Sequence, residues 1–259
     1  MKPRELKQSL AKLSPSRKDV AGQQRAVLDH VLLNSPNLRA RNFSNIAAID
    51  VGHVFHSTDE VFFGGLLSRF LEKNYSSPLT FRLSRRMTVS GGMTTMSHQI
   101  GSRISETRFE IAVATTPLFE TFAHDSESTV GGLVCGSRLE ALQRIVEHEM
   151  VHLVELMLTG DSNCQDTPFR GFVKRHFGHL ESNHELLTPR DVARMSMGIR
   201  CGDLVTFNRN GERYRGLVNR ITKRATILVK DSGGVPYSDG VRYRKFYVPL
   251  SSLKKVKAA

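Results

Sequence analysis

The run His148-Glu149-Met150-Val151-His152 contains residue types that bind a metal ion and use it in chemistry. On a helix, residues four apart lie about 40° apart around the axis and roughly 6 Å apart along it, so both imidazoles can reach one ion. Glu149 is rotated by about 100° from His148 and flanks that ion. Zinc lowers the pKa of a bound water to about 7, and a neighbouring carboxylate can accept the proton. The run predicts a Zn²⁺ site with His148 and His152 as ligands and Glu149 as general base.

A third protein ligand is needed, and the residues leave several candidates open. Glu155 follows His148 by seven residues on nearly the same helix face, where it can bind the ion or orient a histidine through a hydrogen bond. Cys164 lies in the segment after the helix, and a thiolate is a favourable zinc ligand. The remaining candidates, for each of which a packed structural role is the more frequent one, are His176, His179 and His184.

The metal-binding run lies in a segment with helix signals at both ends. Ser137 and Glu140 fit a capping box, in which each side chain accepts a hydrogen bond from a backbone N–H of the first turn. No proline or glycine follows until Gly160, which predicts the end of the helix. A second helix is predicted from Pro168 to Gly178. Further helices are predicted within 50–73 and 188–199, and a short helix with a loop within 117–126.

Residues 79–114 have the composition of strands. Short runs rich in β-branched residues are interrupted by glycines at 91, 92 and 101. The pattern predicts a small antiparallel sheet of about three strands beside the metal-binding helix.

Basic residues are concentrated at the two ends of the chain. Residues 1–45 contain nine Lys/Arg against three Asp/Glu, and residues 200–259 contain fourteen against four, whereas 46–199 contain fourteen against eighteen. The predicted organisation is therefore a basic helical arm (1–45), a catalytic or structural core (46–199) and a basic C-terminal domain (200–259). Basic ends of this kind favour a polyanionic partner such as nucleic acid.

Other sequence features bear on localisation. No run approaches the roughly 18–20 apolar residues of a membrane helix, and no secretory signal is visible at the N-terminus. The three cysteines are widely spaced and odd in number, which is not the pattern of a disulfide framework. A cytoplasmic protein without a membrane partner is predicted.

Residues 200–259 contain four strand-like runs separated by Asn210-Gly211, 222–224 and Ser232-Gly233-Gly234. Short strands at close spacing predict a small SH3-like barrel, with some resemblance to KOW and Tudor modules. Tyrosines are interleaved with basic residues, so this domain is predicted to contact nucleic acid. Alternatively, the tyrosines pack the barrel and the charges form its solvated face. The predicted contact residues are Arg213, Arg215, Arg242, Arg244 and Lys245.

Taken together, several motifs in residues 50–187 resemble the SprT-like metalloproteases, which include the Spartan proteases that cleave DNA–protein crosslinks. DEVFFGGLL resembles the family's entry helix, and LSRRMTVSGGMT resembles its strand motif, through Ser84, Arg86, Met87, Thr88 and Gly92. RFEIAVATTPLFE and HEMVH follow in the family's order. The resemblance implies a zincin-like core in which His148 and His152 bind zinc and Glu149 is the catalytic carboxylate.

One departure from the family concerns the third ligand. The family supplies a histidine in the motif H-G-x-x-F, whereas this chain has Cys164-Gln165-Asp166-Thr167-Pro168-Phe169. Gln165 stands at the histidine position, and Cys164 precedes it. Cys164 is the predicted substitute, because thiolate is the strongest zinc donor nearby.

The sequence supports three functional hypotheses. The first is a zinc peptidase that cleaves proteins bound or crosslinked to nucleic acid. The second, motivated by the missing histidine, is a non-catalytic nucleic-acid- or ribosome-associated protein with a structural zinc site. The third is a metal-dependent hydrolase of a non-peptide bond.

Overall fold

A computed structural model describes residues 1–13, 17–76, 79–123 and 127–256. Helices and strands both contribute to it, so the predicted α+β class is confirmed. The chain divides into two compact units, Met1–Leu186 and Leu187–Ala259. Within the described ranges, no helix has both the length and the apolar character needed to cross a membrane.

The first unit combines helices with two small sheets. Its helices are α1 (Pro3–Lys12), α2 (Arg17–Asn34), α3 (Ala48–Phe63), α4 (Leu66–Asn74), α5 (Thr115–Thr121), α6 (Arg138–Thr159) and α7 (Thr167–Phe177). Its strands are β1 (Thr80–Ser84), β2 (Gly92–Ser97), β3 (Arg108–Ala114), β4 (Ser128–Val130) and β5 (Leu133–Cys135). The short helix predicted for 117–126 corresponds to α5, and residues 124–126 of that prediction lie outside the described residues.

The central element of the first unit is α6, which packs against α3, α7 and β2. Ser137 caps it, because its Oγ accepts a hydrogen bond from the Glu140 N–H at 3.3 Å. Glu140 does not complete the predicted box; its carboxylate accepts from the Gly136 N–H instead, at 2.8 Å. The helix ends at Gly160, whose φ of 78° favours glycine. The predicted start and end of this helix are confirmed.

The sheet beneath α6 is mixed, so the antiparallel prediction for 79–114 was wrong in part. Its strand order is β1-β3-β2. β2 pairs antiparallel with β3 as predicted, but β1 pairs parallel with β3. The seven residues between β1 and β2 carry the chain past the position of β3, which later fills the middle of the sheet. As a result β2 lies at an edge, directly against α6.

The N-terminal helices belong to the core of the first unit. Leu6 and Leu10 of α1 and Val27 and Val31 of α2 are buried in the same apolar cluster as the α6 side chains. The sequence prediction ended a basic arm at residue 45. In the structure these four apolar side chains are covered, and the basic side chains whose exposure is described, such as Lys2, Lys7 and Arg25, are exposed.

The second unit contains α8 (Pro189–Met197) and five strands. The strands are β6 (Leu204–Arg209), β7 (Glu212–Ile221), β8 (Arg224–Pro236), β9 (Arg242–Pro249) and β10 (Lys254–Lys255), with a 3₁₀ turn at Leu250–Ser252. They form one antiparallel sheet in the order β10-β6-β7-β8-β9. The predicted boundary lay at residue 200, whereas the unit begins at Leu187, because Ala193 and Ile199 are buried with the β-strand core.

Two of the three turns predicted for the second unit are confirmed, and one of them is the 222–224 turn, since β7 ends at Ile221 and β8 begins at Arg224. Asn210 and Gly211 have φ values of 51° and 81° and form the predicted hairpin turn between β6 and β7. Gly233-Gly234 was predicted to be a turn but lies inside β8, where the pairing with β9 shifts between Lys230 and Val235. A bulge tolerates glycine as readily as a turn does, so composition did not separate the two.

Candidate metal centre

Three side chains from α6 and the following segment converge on one point. Donor atoms of His148, His152 and Cys164 all lie within 4.8 Å of one another, and the two histidine Nε2 atoms are 3.2 Å apart. Ligands of a tetrahedral zinc ion are separated by roughly 3.3–3.6 Å, given metal–ligand distances of about 2.0–2.3 Å. The three residues therefore fit a zinc ion after small side-chain adjustments, and the predicted set of His148, His152 and Cys164 is brought together.

His152 is oriented by a chain of two hydrogen bonds. Its Nδ1 lies 2.7 Å from Ser162 Oγ, and the Ser162 hydroxyl donates to Glu155 Oε2 at 2.6 Å. Since the hydroxyl proton is directed to the carboxylate, Ser162 Oγ accepts from the His152 Nδ1–H. That leaves the lone pair on Nε2, which faces His148. Glu155 thus takes the orienting role that the sequence had left open beside direct ligation.

The protonation states of the two imidazoles suit metal binding. Burial, together with the neighbouring His152, His179 and His184, lowers the pKa of His148 to about 3. Burial lowers the pKa of His152 to about 4. Both rings are neutral near pH 7, which is the form that binds a metal. Phe169 packs on both rings, with centroid distances of 4.9 and 4.5 Å, and restricts their movement.

Glu149 lies on the side of α6 that packs against β2. Thr94 donates its hydroxyl proton to Glu149 Oε2 at 2.8 Å. A side chain at Gly92 would approach the Glu149 carboxylate to 2.6 Å, so glycine there makes room for it. Burial raises the pKa of Glu149 to about 7, against the lowering effect of the Thr94 bond. A carboxylate with a pKa in this range can both take up and release a proton near neutral pH.

These residues line one open cavity of about 590 Å³. Its walls come from the 89–94 segment, α6, the 161–164 segment and residues 179–184. His148, Glu149, His152 and Cys164 all border it. The arrangement offers donor atoms and a buried carboxylate on the same accessible space, which is what a hydrolytic metal site requires.

The other three candidate ligands, His176, His179 and His184, lie outside this cluster and contact different groups. His179 Nε2 is bonded to Glu147 Oε2 at 2.9 Å inside the protein. His184 accepts the Leu186 N–H on Nδ1 at 3.3 Å and also bonds the Val89 backbone. His176 is buried against Phe172, with ring centroids 4.2 Å apart. Within the described residues, none of the three belongs to the cluster of donor atoms formed by His148, His152 and Cys164.

Gln165, which stands at the family's histidine position, has different partners. Its Oε1 accepts from Arg170 at 2.8 Å, and its Nε2 lies 3.3 Å from Ser182 Oγ. The side chain is exposed. Cys164, one residue earlier, is the residue that reaches the two histidines.

Sequence reasoning missed Thr94 and Ser162. Thr94 follows Gly92 by two residues on a strand and so shares its face, which could have indicated that both meet the helix. For Ser162 the sequence gives no such signal, because a serine after a helix is common and its contact depends on how the loop folds back.

The basic residues predicted to bind nucleic acid are divided between two strands of the second unit. They are Arg213 and Arg215 on β7 and Arg242, Arg244 and Lys245 on β9. All five are exposed, but β8 lies between the two strands. Arg244 is ion-paired with Asp231 at 2.7 Å, and Arg242 donates to the Gly234 carbonyl at 2.9 Å. The structure therefore does not bring the five together as one cluster.

Two other basic residues of this unit, Arg220 and Arg224, were not singled out from the sequence, whereas Tyr247 is one of the tyrosines predicted to offer a face for base stacking. Tyr247, Arg220 and Arg224 are exposed on β9, β7 and β8. Strand alternation could have placed each on the outer face, because the neighbours Ile221, Ala225 and Val248 are apolar. Their alignment across three strands depends on the register, which the sequence does not give.

Comparisons with known proteins add nothing to these observations. No protein-family model, no curated protein and no solved structure matches this chain. The geometry around His148, Glu149, His152 and Cys164, with the motif resemblance, carries the functional argument.

Proposed function

We propose that this chain is a zinc-dependent peptidase of the SprT-like type that acts on proteins bound or crosslinked to nucleic acid. The observation that carries the proposal is the convergence of His148, His152 and Cys164 donor atoms within 4.8 Å, beside the buried Glu149, on one open cavity. Three protein ligands are the number found in catalytic zinc sites, which keep a fourth position for water or substrate.

The chain's own residues supply the remaining parts of a hydrolytic site. A bound zinc ion would lower the pKa of water and polarise a carbonyl oxygen. Glu149 would accept a proton at its carboxylate and return it to the leaving amine, for which a pKa near 7 is suited. Thr94 holds the Glu149 carboxylate in position through the 2.8 Å bond.

A peptide substrate is favoured over other hydrolysable bonds by the strand beside the site. β2 forms an edge of its sheet, and its residues Gly92 and Thr94 contact Glu149. An edge strand offers backbone N–H and C=O groups to an extended peptide. Met93 and Met96 are 46% and 36% exposed along this strand and can contact apolar side chains of such a peptide.

The fold supports the same assignment in outline. A long helix over a small mixed sheet, with two of the three proposed ligands on the helix, fits a zincin-like SprT core. In the second unit, five antiparallel strands in the order β10-β6-β7-β8-β9, with a 3₁₀ turn before β10, fit an SH3-like barrel. Its fourteen Lys/Arg against four Asp/Glu in residues 200–259 support a nucleic-acid partner.

The variant Glu149→Gln tests the catalytic part of this proposal. Purified protein is expected to hold about one zinc per chain, and the variant is expected to keep that zinc. Cleavage of a DNA-binding protein crosslinked to an oligonucleotide is expected to fall by roughly 10²–10⁴, because the proton acceptor is lost. Zinc is measured by elemental analysis and cleavage by gel electrophoresis.

Glu185→Gln is the matched control, since Glu185 is exposed and, among the described residues, its carboxylate is bonded to Thr129 at 2.8 Å. It is expected to cleave like the unchanged protein. Undiminished cleavage by Glu149→Gln would overturn the proposal. One zinc per chain without cleavage by the unchanged protein would instead favour the non-catalytic hypothesis.

A further inference from the structure

An exposed tyrosine lies on the outer face formed by β7, β8 and β9, on the edge strand β9. Tyr247 on β9 pairs with Thr226 on β8, which pairs with Arg220 on β7. The alternating neighbours point inward, because Ala225, Ile227 and Val248 are buried. The Tyr247 side chain is therefore directed outward, and 63% of it is exposed.

Three cationic side chains share this face with Tyr247. Arg220 lies in the same cross-strand row, and Arg224 precedes Thr226 by two residues on β8. Lys245 precedes Tyr247 by two residues on β9, and its ammonium lies 5.4 Å from the ring centre of Tyr237. All three are exposed. Since side chains two apart on a strand lie on one face, the three cations lie on the same face as the tyrosine.

The four acidic side chains within 200–259 bond groups other than these three cations. Asp203 is paired with Lys255 at 2.7 Å, and Asp231 with Arg244 at 2.7 Å. Glu212 accepts the Tyr214 hydroxyl at 2.6 Å, and Asp239 accepts the Tyr243 hydroxyl at 2.8 Å. In the described part of the chain, no carboxylate is paired with Arg220, Arg224 or Lys245. The positive potential of this face is left for a partner.

We propose that this face binds single-stranded nucleic acid, with a base stacked on Tyr247 and the flanking phosphates on Arg220, Arg224 and Lys245. An exposed ring can stack only on a base whose own face is free, which excludes the interior of a duplex. An acidic peptide would use the cations but would gain nothing specific from the ring. The inference rests on the nucleic-acid partner of the proposed function and adds its surface and strand form.

The test is fluorescence anisotropy of the full chain with labelled oligo-dT and oligo-rU, which separate DNA from RNA. Tyr247→Leu is expected to weaken binding roughly 5–150-fold, from about 1–3 kcal/mol per stacked base. Tyr247→Phe is expected to bind normally, since the ring is kept. A Tyr247→Leu variant that binds like the unchanged protein would overturn the proposal.

The charges are tested by a matched pair of triple variants. Arg220→Gln/Arg224→Gln/Lys245→Gln is expected to lower the slope of log affinity against log salt by about 2, from about 0.7 per phosphate contact. Arg213→Gln/Arg215→Gln/Lys254→Gln removes the same charge from β7 and β10 and is expected to change the slope less. Equal losses in both triples would contradict the named face, as would equal competition by polyglutamate.

If the nucleic-acid-binding proposal fails, that result can be distinguished from failure of the peptidase proposal. Binding is measured equally well with Glu149→Gln, so it does not depend on cleavage. Conversely, cleavage of an unstructured protein without nucleic acid is expected to be the same in Tyr247→Leu and the unchanged chain.

Discussion

Two polar groups lie within one turn of each other on α6 and differ in almost every physical respect. The first, here called the sealed group, comprises Gln143, Arg144 and Glu147 with His179 of the following segment. The second, the open group, comprises His148, Glu149 and His152 with Cys164. Both contain histidine and carboxylate side chains close together. His179 also borders the cavity, but among the described residues only the open group has donor atoms within 4.8 Å of one another there.

In the sealed group four side-chain hydrogen bonds converge on the Glu147 carboxylate. Glu147 is fully buried and accepts from Arg144 at 2.7 and 2.9 Å, from Gln143 at 3.0 Å and from His179 at 2.9 Å. The Nε2 that donates to Glu147 has no lone pair for a metal, and the other nitrogen of His179, Nδ1, lies against Gly131, outside the cluster of His148, His152 and Cys164. The same residue types therefore stabilise the fold in one group and remain available for chemistry in the other.

The largest effect is expected on the free energy of unfolding, when the Glu147 carboxylate at the centre of the sealed group is removed. Glu147→Gln leaves the buried Arg144 without its counter-charge, and breaking a buried pair in this way costs about 3–5 kcal/mol in free energy of unfolding. Zinc per folded chain is expected to stay near one. Denaturant unfolding in the presence of a chelator measures the loss without a contribution from metal binding.

Glu110→Gln is the control for this variant. Glu110 is paired with Arg82 at 2.8 Å, but both side chains are substantially exposed, so a change within about 1 kcal/mol is expected. If Glu147→Gln instead lost zinc without losing stability, the distinction between the two groups would be wrong.

The sequence predicted the open group better than the sealed one because its signals are local. His148, Glu149 and His152 are fixed relative to each other by helix geometry, and Ser137 and Gly160 mark the helix ends. Glu147 and His179 are 32 residues apart, so no local pattern indicates that they meet. From composition alone, His179 was as good a candidate ligand as any histidine after α6.

Parts that depend on strand order or loop path were predicted less well. β3 enters between β1 and β2, so the sheet is mixed although each strand has ordinary composition. Arg242 and Arg244 have the residue type for phosphate contact but are bonded to Gly234 and Asp231. The residue types can be read from the sequence. Which group each charged side chain bonds is known only from the structure.

Within the open group, Cys164 is the proposed ligand that departs from the SprT-like motif. Zinc binding by four ligands is worth about 10–16 kcal/mol, so losing one ligand costs on the order of 3 kcal/mol, or about 100-fold in affinity. Cys164→Ser is expected to show this loss in competition with a chromogenic chelator. With Co²⁺ in place of zinc, the unchanged protein is expected to show a thiolate charge-transfer absorption that the variant lacks.

Gln165→Ala is the control, because Gln165 is exposed and bonded to Arg170. Its zinc affinity and Co²⁺ spectrum are expected to match those of the unchanged chain. A charge-transfer absorption that persists in Cys164→Ser would remove Cys164 from the ligand set.

The smallest expected effect concerns the orientation of His152. Ser162→Ala removes the hydroxyl that joins His152 Nδ1 to Glu155, so the ring can rotate and Nε2 is less often directed at the ion. Loss of such an orienting partner typically weakens metal binding by about 10–100-fold. Ser182→Ala is a matched control, since Ser182 borders the same cavity but bonds Gln165. Chelator competition is expected to rank Ser162→Ala between Ser182→Ala and Cys164→Ser. Equal affinities for the two serine variants would mean that packing by Phe169 alone holds His152, and that the open group needs no polar support of the kind that defines the sealed one.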